Sequence, residues 1–241
     1  SNRTSILKKI SVYDGIVIRS RIKIDFEFLS AANKLKFIAR SGAGLENIDC
    51  KEAEKRGVTL FSAPEGNRQA VGEHAVGMIL SLFNKLSIGD TEIRSGKWNR
   101  EANRGIELSG KTIGIIGYGN TGRAFAKCLS GFNCKVLAYE KNKKNFSDDC
   151  VQESSLEDIQ NKSDIISFHT PYDESTHHYL NEAFIKKMNK QLKFDLCFQH
   201  FKNNSFSLFL VNACCHILMS PFTSTPNLSP HTPAKYLLIV S

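Results

Sequence analysis

Apolar residues in this chain come in short unbroken runs, separated by stretches where they recur every third or fourth position. The runs read as buried strands, and the spaced stretches as helices packed on them. Residues 15–19 (GIVIR), 36–40 (KFIAR) and 58–61 (VTLF) form the first three runs. Between them lie a helix over 25–33, opened by Asp25 as N-cap, and another near 48–56, stopped by Gly57. Three short strands alternating with helices predict a parallel sheet, closed by the loop 63–67 (APEGN). Asn67 then caps a long amphipathic helix. Its apolar stripe is Val71, Ala75, Met78, Ile79, Leu82, Phe83 and Leu86, and Gly96 is placed to end it. Such a helix is expected to serve as a spine between two domains.

The second half carries the most informative pattern. An apolar strand at 112–116 (TIGII) runs into Gly117-x-Gly119-x-x-Gly122, a helix starts near Asn120, and a second strand at 135–139 ends on Glu140. Each glycine has a physical task in holding a dinucleotide. Gly117 permits the tight strand-to-helix turn, Gly119 lets backbone approach a pyrophosphate, and Gly122 lets the helix lie close on the sheet. Free N–H groups and the positive end of the helix dipole then face the phosphates, with Tyr118, Asn120 and Thr121 completing the loop. Glu140 stands where a carboxylate accepts both hydroxyls of an adenosine ribose. Further on, Ser154-x-x-Glu157 reads as a capping box, 164–168 as a buried strand, and Asn181 as the cap of a helix to about 188. His169, Thr170 and Pro171 fall at that strand's C-terminal edge, where open α/β sheets bind ligands.

The composition changes near residue 190. Residues 191–241 contain no glycine, arginine or glutamate but four of the six prolines. A doubly wound domain needs glycines at its turns and polar outer helix faces, so this tail does not read as a continuation of what precedes it. Either a divergent segment replaces the usual one or the reading frame departs here, and the second is preferred. The expected organisation is a substrate domain over 1–67, a linking helix over 68–97, a dinucleotide domain over 98–190 and an atypical tail over 191–241. The expected fold is α/β: an incomplete Rossmann-type parallel sheet, plus a smaller flavodoxin-like α/β domain joined by the long helix.

Bulk properties narrow the function classes. A chain of 241 residues with 41% hydrophobic and 23% charged content can bury a real core. The net charge of +8 invites a nucleic-acid partner, but the basic residues are scattered and no aromatics are interleaved with a basic stripe. A positive balance also suits a protein that attracts anionic cofactors and substrates. The first residues (SNRTSILKK) show no apolar core of a signal peptide. The longest apolar run, 206–219, is broken by Asn212 and His216 and is shorter than the roughly 20 residues of a membrane helix. No nucleic acid and no membrane are therefore expected. The odd count of seven cysteines, without any CxxC pair, favours reduced thiols in a cytoplasmic setting. The adjacent Cys214 and Cys215 in an apolar run are read as inert.

These residues resemble the D-isomer-specific 2-hydroxyacid dehydrogenases, most of all the phosphoglycerate dehydrogenase-like branch. The resemblance is carried by GIVIRS at 15–20, ARSGAGLENID at 39–49, APEGN at 63–67 with Glu73-His74, and Gly96-Lys97-Trp98. LSGKTIGIIGYGNTG at 108–122, Ala138-Tyr139-Glu140 and His169-Thr170-Pro171 complete it, so that it covers roughly residues 12–189.

The family implies NAD as cofactor and a small 2-hydroxy acid, such as 3-phosphoglycerate, or the matching 2-keto acid as partner. Gly117 to Gly122 would hold the pyrophosphate. Glu140 stands where the family has its ribose acid, and its charge favours NAD. Lys141, Lys143 and Lys144 are cations that could attract a 2′-phosphate, or simply a solvated loop. His169, Thr170 and Pro171, with Ala43, would line the cofactor. Ser41, Gly42, Ala43 and Gly44 resemble the substrate-carboxylate loop, with Arg19 and Ser20 facing the same cleft; equally, Arg19 only pairs with a neighbouring acid. The family's catalytic arginine, glutamate and histidine all lie beyond the position of Met188, and no arginine or glutamate is found after Lys190. His231 in Ser229-Pro230-His231 is a faint echo of the family's histidine. His74 is expected to be packed or cofactor-adjacent, and His177 and His178 to be on the surface, so no catalytic residue is assigned. The start is also short relative to the family, which would leave the first strand at an open sheet edge. An impaired NAD-binding dehydrogenase that pairs as a homodimer is the leading expectation. A non-catalytic, corepressor-like NAD-binding interaction protein and an inactive frameshifted fragment are its rivals.

Overall fold

A computed structural model describes residues 3–171, 175–188, 192–196 and 235–239. The chain divides into two compact units, 1–68 and 69–241.

The first unit is built on a three-stranded parallel sheet: β1 (Gly15–Ile18), β2 (Phe37–Arg40) and β3 (Thr59–Ser62), in that order. Ile16 lies beside Ile38, which lies beside Leu60. These positions and Ile18 join α1 (Arg3–Leu7), α2 (Phe26–Ala31) and α3 (Cys50–Lys55) around a core of Ile10, Ile24, Phe28, Leu29 and Ile48. Strand periodicity sends Val17 and Phe61 to the opposite face, where both are exposed. Helix entry follows the capping chemistry of the sequence. Asp25 accepts the Phe28 N–H at 3.1 Å, and Asp49 accepts the Glu52 N–H at 3.0 Å. Gly57 closes α3 with φ at +71°, a conformation that costs glycine nothing.

The second unit opens with α4 (Arg68–Phe83) and α5 (Leu86–Arg94). The single long helix expected from the apolar stripe is thus two. Lys85 turns to φ +52°, and the Asn84 side chain donates to the Leu80 carbonyl at 3.0 Å, so the ladder stops there. Gly96 follows the end of α5 with φ at +75°. Helix α4 buries Ala75, Val76, Met78, Ile79 and Phe83, whereas α5 buries nothing.

Behind α4 stands a parallel sheet in the order β6-β5-β4-β7-β9-β8. Its strands are β4 (Thr112–Ile116), β5 (Lys135–Tyr139), β6 (Gln152–Glu153), β7 (Ile165–Phe168), β8 (Leu192–Leu196) and β9 (Lys235–Ile239). Ile113, Ile115 and Ile116 of central β4 are all nearly inaccessible, as expected for a strand covered on both faces. Helices α6 (Asn120–Cys128), α7 (Leu156–Lys162) and α8 (Glu182–Lys186) complete the unit. The α7 cap is Ser155, whose hydroxyl accepts the Asp158 N–H at 3.0 Å, one residue later than the capping box predicted. Ser154, just past β6, instead donates its hydroxyl to the Gln152 carbonyl and its N–H to the Ala138 carbonyl of β5. Asn181 caps α8 as expected, accepting the Phe184 N–H at 2.9 Å.

Of the tail over 191–241, the structure describes residues 192–196 and 235–239. Two of its stretches, β8 and β9, continue the same sheet in parallel, with β9 hydrogen-bonded beside β7. Backbone pairing along the open edge of β7 does not require the glycines or polar helix faces whose absence set the tail apart in sequence.

Candidate dinucleotide site

Strand β4 delivers the chain to the glycine loop at the C-terminal edge of its sheet. Gly117 turns with φ at +96°, and a Cβ there would press into the His169 carbonyl and the Thr170 methyl. The end of β7 therefore packs directly on the loop, and only glycine fits. A side chain at Gly122 would collide with the Gly117 carbonyl oxygen, which is the close helix approach the motif predicts. Gly119 is the opposite case: nothing lies within 4 Å of a Cβ built on it. Open space thus sits over the start of α6, where the first helical N–H groups of Asn120, Thr121 and Gly122 have no intrahelical acceptor. Those groups and that space fit a pyrophosphate.

Glu140, at the end of β5, turns its carboxylate to this loop. Oε2 accepts the Tyr118 N–H at 2.9 Å and Oε1 accepts the Asn142 N–H at 3.4 Å. The remaining lone pairs on both oxygens can still accept from a diol. Tyr118 itself is buried. Its ring stacks on Phe146 with centroids 5.2 Å apart, its hydroxyl donates to Asp148 at 2.9 Å, and the Arg123 guanidinium lies 5.3 Å from the ring centre. Burial, and then the Asp148 bond, push the phenol well above its ordinary value, so it stays protonated. The stretch after β5 is in this way tied to the glycine loop.

His169 is buried beside the loop. Its Nε2 lies 2.8 Å from the Ser167 hydroxyl, its ring stacks on Phe125 at 5.1 Å, and Nδ1 has no hydrogen-bond partner among the described residues. Burial drops its pKa to about 3, so the imidazole is neutral at physiological pH. Thr170 is half-buried and Pro171 exposed, its carbonyl accepting from the Thr176 hydroxyl. His74 is exposed on α4 rather than packed, and His177 and His178 are exposed as expected. His231 lies outside the described residues, as do Cys214 and Cys215.

The loop 41–44 in the first unit resembles a substrate-carboxylate loop, and two of its four amides are already committed. The Ser41 N–H donates to the Ile18 carbonyl at 2.8 Å and the Gly42 N–H to the Arg40 carbonyl at 2.9 Å. Ala43 and Gly44 keep N–H groups without a partner among the described residues. Arg40 lies beneath the loop, its Nε donating to the Gly44 carbonyl at 3.0 Å and Nη2 to Glu46 at 3.2 Å. Arg19 and Ser20 are exposed beyond β1, and Arg19 forms no ion pair among the described residues.

Residues 76–194 match the family described as "D-isomer specific 2-hydroxyacid dehydrogenase, NAD binding domain". The chain belongs to the D-isomer-specific 2-hydroxyacid dehydrogenase family. It is 36% identical over 186 residues to hydroxypyruvate reductase of Thermotoga maritima, covering 77% of this chain and 60% of that protein. It is 34% identical over 189 residues to D-3-phosphoglycerate dehydrogenase of Archaeoglobus fulgidus, covering 78% of this chain and 36% of that one. Among solved structures, D-lactate dehydrogenase of Aquifex aeolicus, complexed with NAD and lactic acid, is similar with a TM-score of 0.70. It shares 28% identity with this chain, over 78% of this chain and 57% of that one. The chain therefore spans little more than a third to three fifths of its two named relatives.

As a member of this family, the chain holds residues that its sequence alone did not single out. Asp148 and Phe146 reach the glycine loop through the buried Tyr118, and their separation along the chain hides the link. Arg40 had a signal: an arginine ending an otherwise apolar strand, just before a glycine-rich loop.

Proposed function

We propose that this chain binds NAD at the glycine loop of its second unit, as part of a protein that interconverts a 2-hydroxy acid and its 2-keto acid. The observation that carries the reading is the Glu140 carboxylate held on the Tyr118 N–H, at the mouth of an open loop whose helix presents unpaired amides. The Asn120, Thr121 and Gly122 amides would bind the pyrophosphate, Glu140 the adenosine ribose, and the His169–Pro171 edge the nicotinamide side. A carboxylate that accepts diol hydroxyls repels a 2′-phosphate, which favours NAD over NADP. Lys141, Lys143 and Lys144, all exposed, would lie in bulk solvent. When bound, NAD supplies the carbon that takes or gives the hydride. The chain supplies orientation, the dry wall of neutral His169, and, through loop 41–44, amides for a substrate carboxylate.

The substrate class follows the relatives' names: small 2-hydroxy or 2-keto acids, including 3-phosphoglycerate and hydroxypyruvate. A homodimer is supported by segment 86–106, which displays Leu86, Ile93, Trp98 and Ile106 to solvent. This segment is braced on α5 by Asn103 donating to Glu92 and by Lys85 donating to the Ala102 carbonyl. A cytoplasmic setting is supported by four described cysteines, all free. No helix among the described residues is long and apolar enough to cross a membrane. The second reading, an NAD-binding interaction protein without turnover, is favoured by one observation: residues 191–241 hold no arginine or glutamate to serve the chemistry.

Calorimetry with NAD, NADH and NADP tests the cofactor reading. Binding of the first two, weakened about tenfold or more in Glu140→Ala, supports it; no heat with any nucleotide refutes it. Turnover of hydroxypyruvate with NADH by the same material separates the enzyme from the interaction protein.

A further inference from the structure

We propose that Arg40 is the cationic anchor for a ligand carboxylate under loop 41–44, and that Glu46 is an internal stand-in which the ligand displaces. The inference rests on reading that loop as the substrate-carboxylate site.

The Arg40 side chain is only 8% exposed, and a buried cation must be paired. Its partner is poorly suited to a permanent ion pair. The Glu46 side chain is 49% exposed, and its contact of 3.2 Å is long for a charge-assisted hydrogen bond, which ordinarily runs at about 2.7–2.9 Å. Half-exposed pairs of this kind are weak. The Nε donor goes to the Gly44 carbonyl, which ties the guanidinium to the loop and leaves Nη1 without a partner among the described residues.

The Glu46 carboxylate also lies hard against Gly44, where any side chain would strike it. It therefore occupies the space from which an anion would reach both the guanidinium and the unpaired Gly44 amide. An anion arriving while Glu46 stays in place would meet a like charge. If Glu46 rotates into water instead, Arg40 trades one carboxylate for another, no buried charge is left unpaired, and the Ala43 and Gly44 amides gain an acceptor. Glu46, already half in solvent, needs only a rotamer change to leave. The device selects for an anion, because a neutral ligand cannot repay the lost ion pair.

Titration of the full chain with hydroxypyruvate, followed by calorimetry and by the amide NMR signals of Ala43 and Gly44, tests this. Hydroxyacetone, which lacks the carboxylate, is the control. Glu46→Gln removes the competitor and is expected to tighten hydroxypyruvate binding about fivefold. Arg40→Met is expected to weaken it at least about tenfold, and hydroxyacetone to move neither amide. If both amides shift in the parent chain but Glu46→Gln binds no more tightly, the exchange is wrong and the loop assignment stands. If neither amide shifts in the parent or in Glu46→Gln, the loop assignment itself is wrong and the exchange goes with it. Circular dichroism checks the fold of Arg40→Met; should that variant be unfolded, Glu46→Gln decides alone.

Discussion

At the scale of single residues, two side chains make separable predictions. His169 is neutral in the fold with a pKa near 3, against 6.5 when free. The unfolded chain therefore binds more protons between those values. Its contribution to stability is complete above about pH 6.5 and drains away as pH falls toward 3. Denaturant unfolding from pH 7 to pH 4 should show a fall that is shallower in His169→Gln, which cannot titrate. Parallel curves would remove histidine burial as the cause. Glu140 speaks to function instead. Its charge-assisted bond to the Tyr118 N–H pre-sets the carboxylate, so Glu140→Ala should weaken NAD about tenfold or more. The same change should affect NADP far less, and equal losses for the two nucleotides would count against a role at the ribose.

At the scale of elements, caps and close approaches decide which local patterns survive. Ser155, not Ser154, opens α7, so Ser155→Ala should cost about 1 kcal/mol in chemical denaturation. Ser154→Ala should cost clearly less, and the reverse order would restore the capping box in its predicted register. Gly72 of α4 faces the α6 backbone, where a Cβ would stand 2.9 Å from Ala124 and Phe125. Gly72→Ala is thus expected to lose about 1–3 kcal/mol despite alanine's better helix propensity. A gain in stability would mean that α4 and α6 can separate freely.

At the scale of the molecule, NAD at a hundred times its dissociation constant should stabilise the chain by about 2.7 kcal/mol, readable as a raised melting temperature. Trp98, 78% exposed, belongs to the apolar segment proposed to pair two copies. Trp98→Asp should move the sedimentation profile from dimer to monomer at micromolar concentration; an unchanged profile would assign that segment to another task.

Much of this was legible in order of residues alone. The strands 112–116 and 135–139, the Gly117–Gly122 turn, the Asp25 and Asn181 caps and the Gly57 stop are local matters of φ, hydrogen-bond donors and periodicity, and the structure keeps all of them. Contacts between distant segments were not legible, because nothing local encodes them. The addition of β9 beside β7, the Tyr118–Asp148 tie and the burial of Arg40 under its loop arise only when separate stretches pack. Sequence by itself determined that a dinucleotide loop exists, since backbone freedom and residue spacing suffice for that, and its resemblance to known motifs pointed to the family. Tertiary structure alone decided which amides remain free and which charges are already paired, since both depend on what the rest of the chain brings within hydrogen-bond reach.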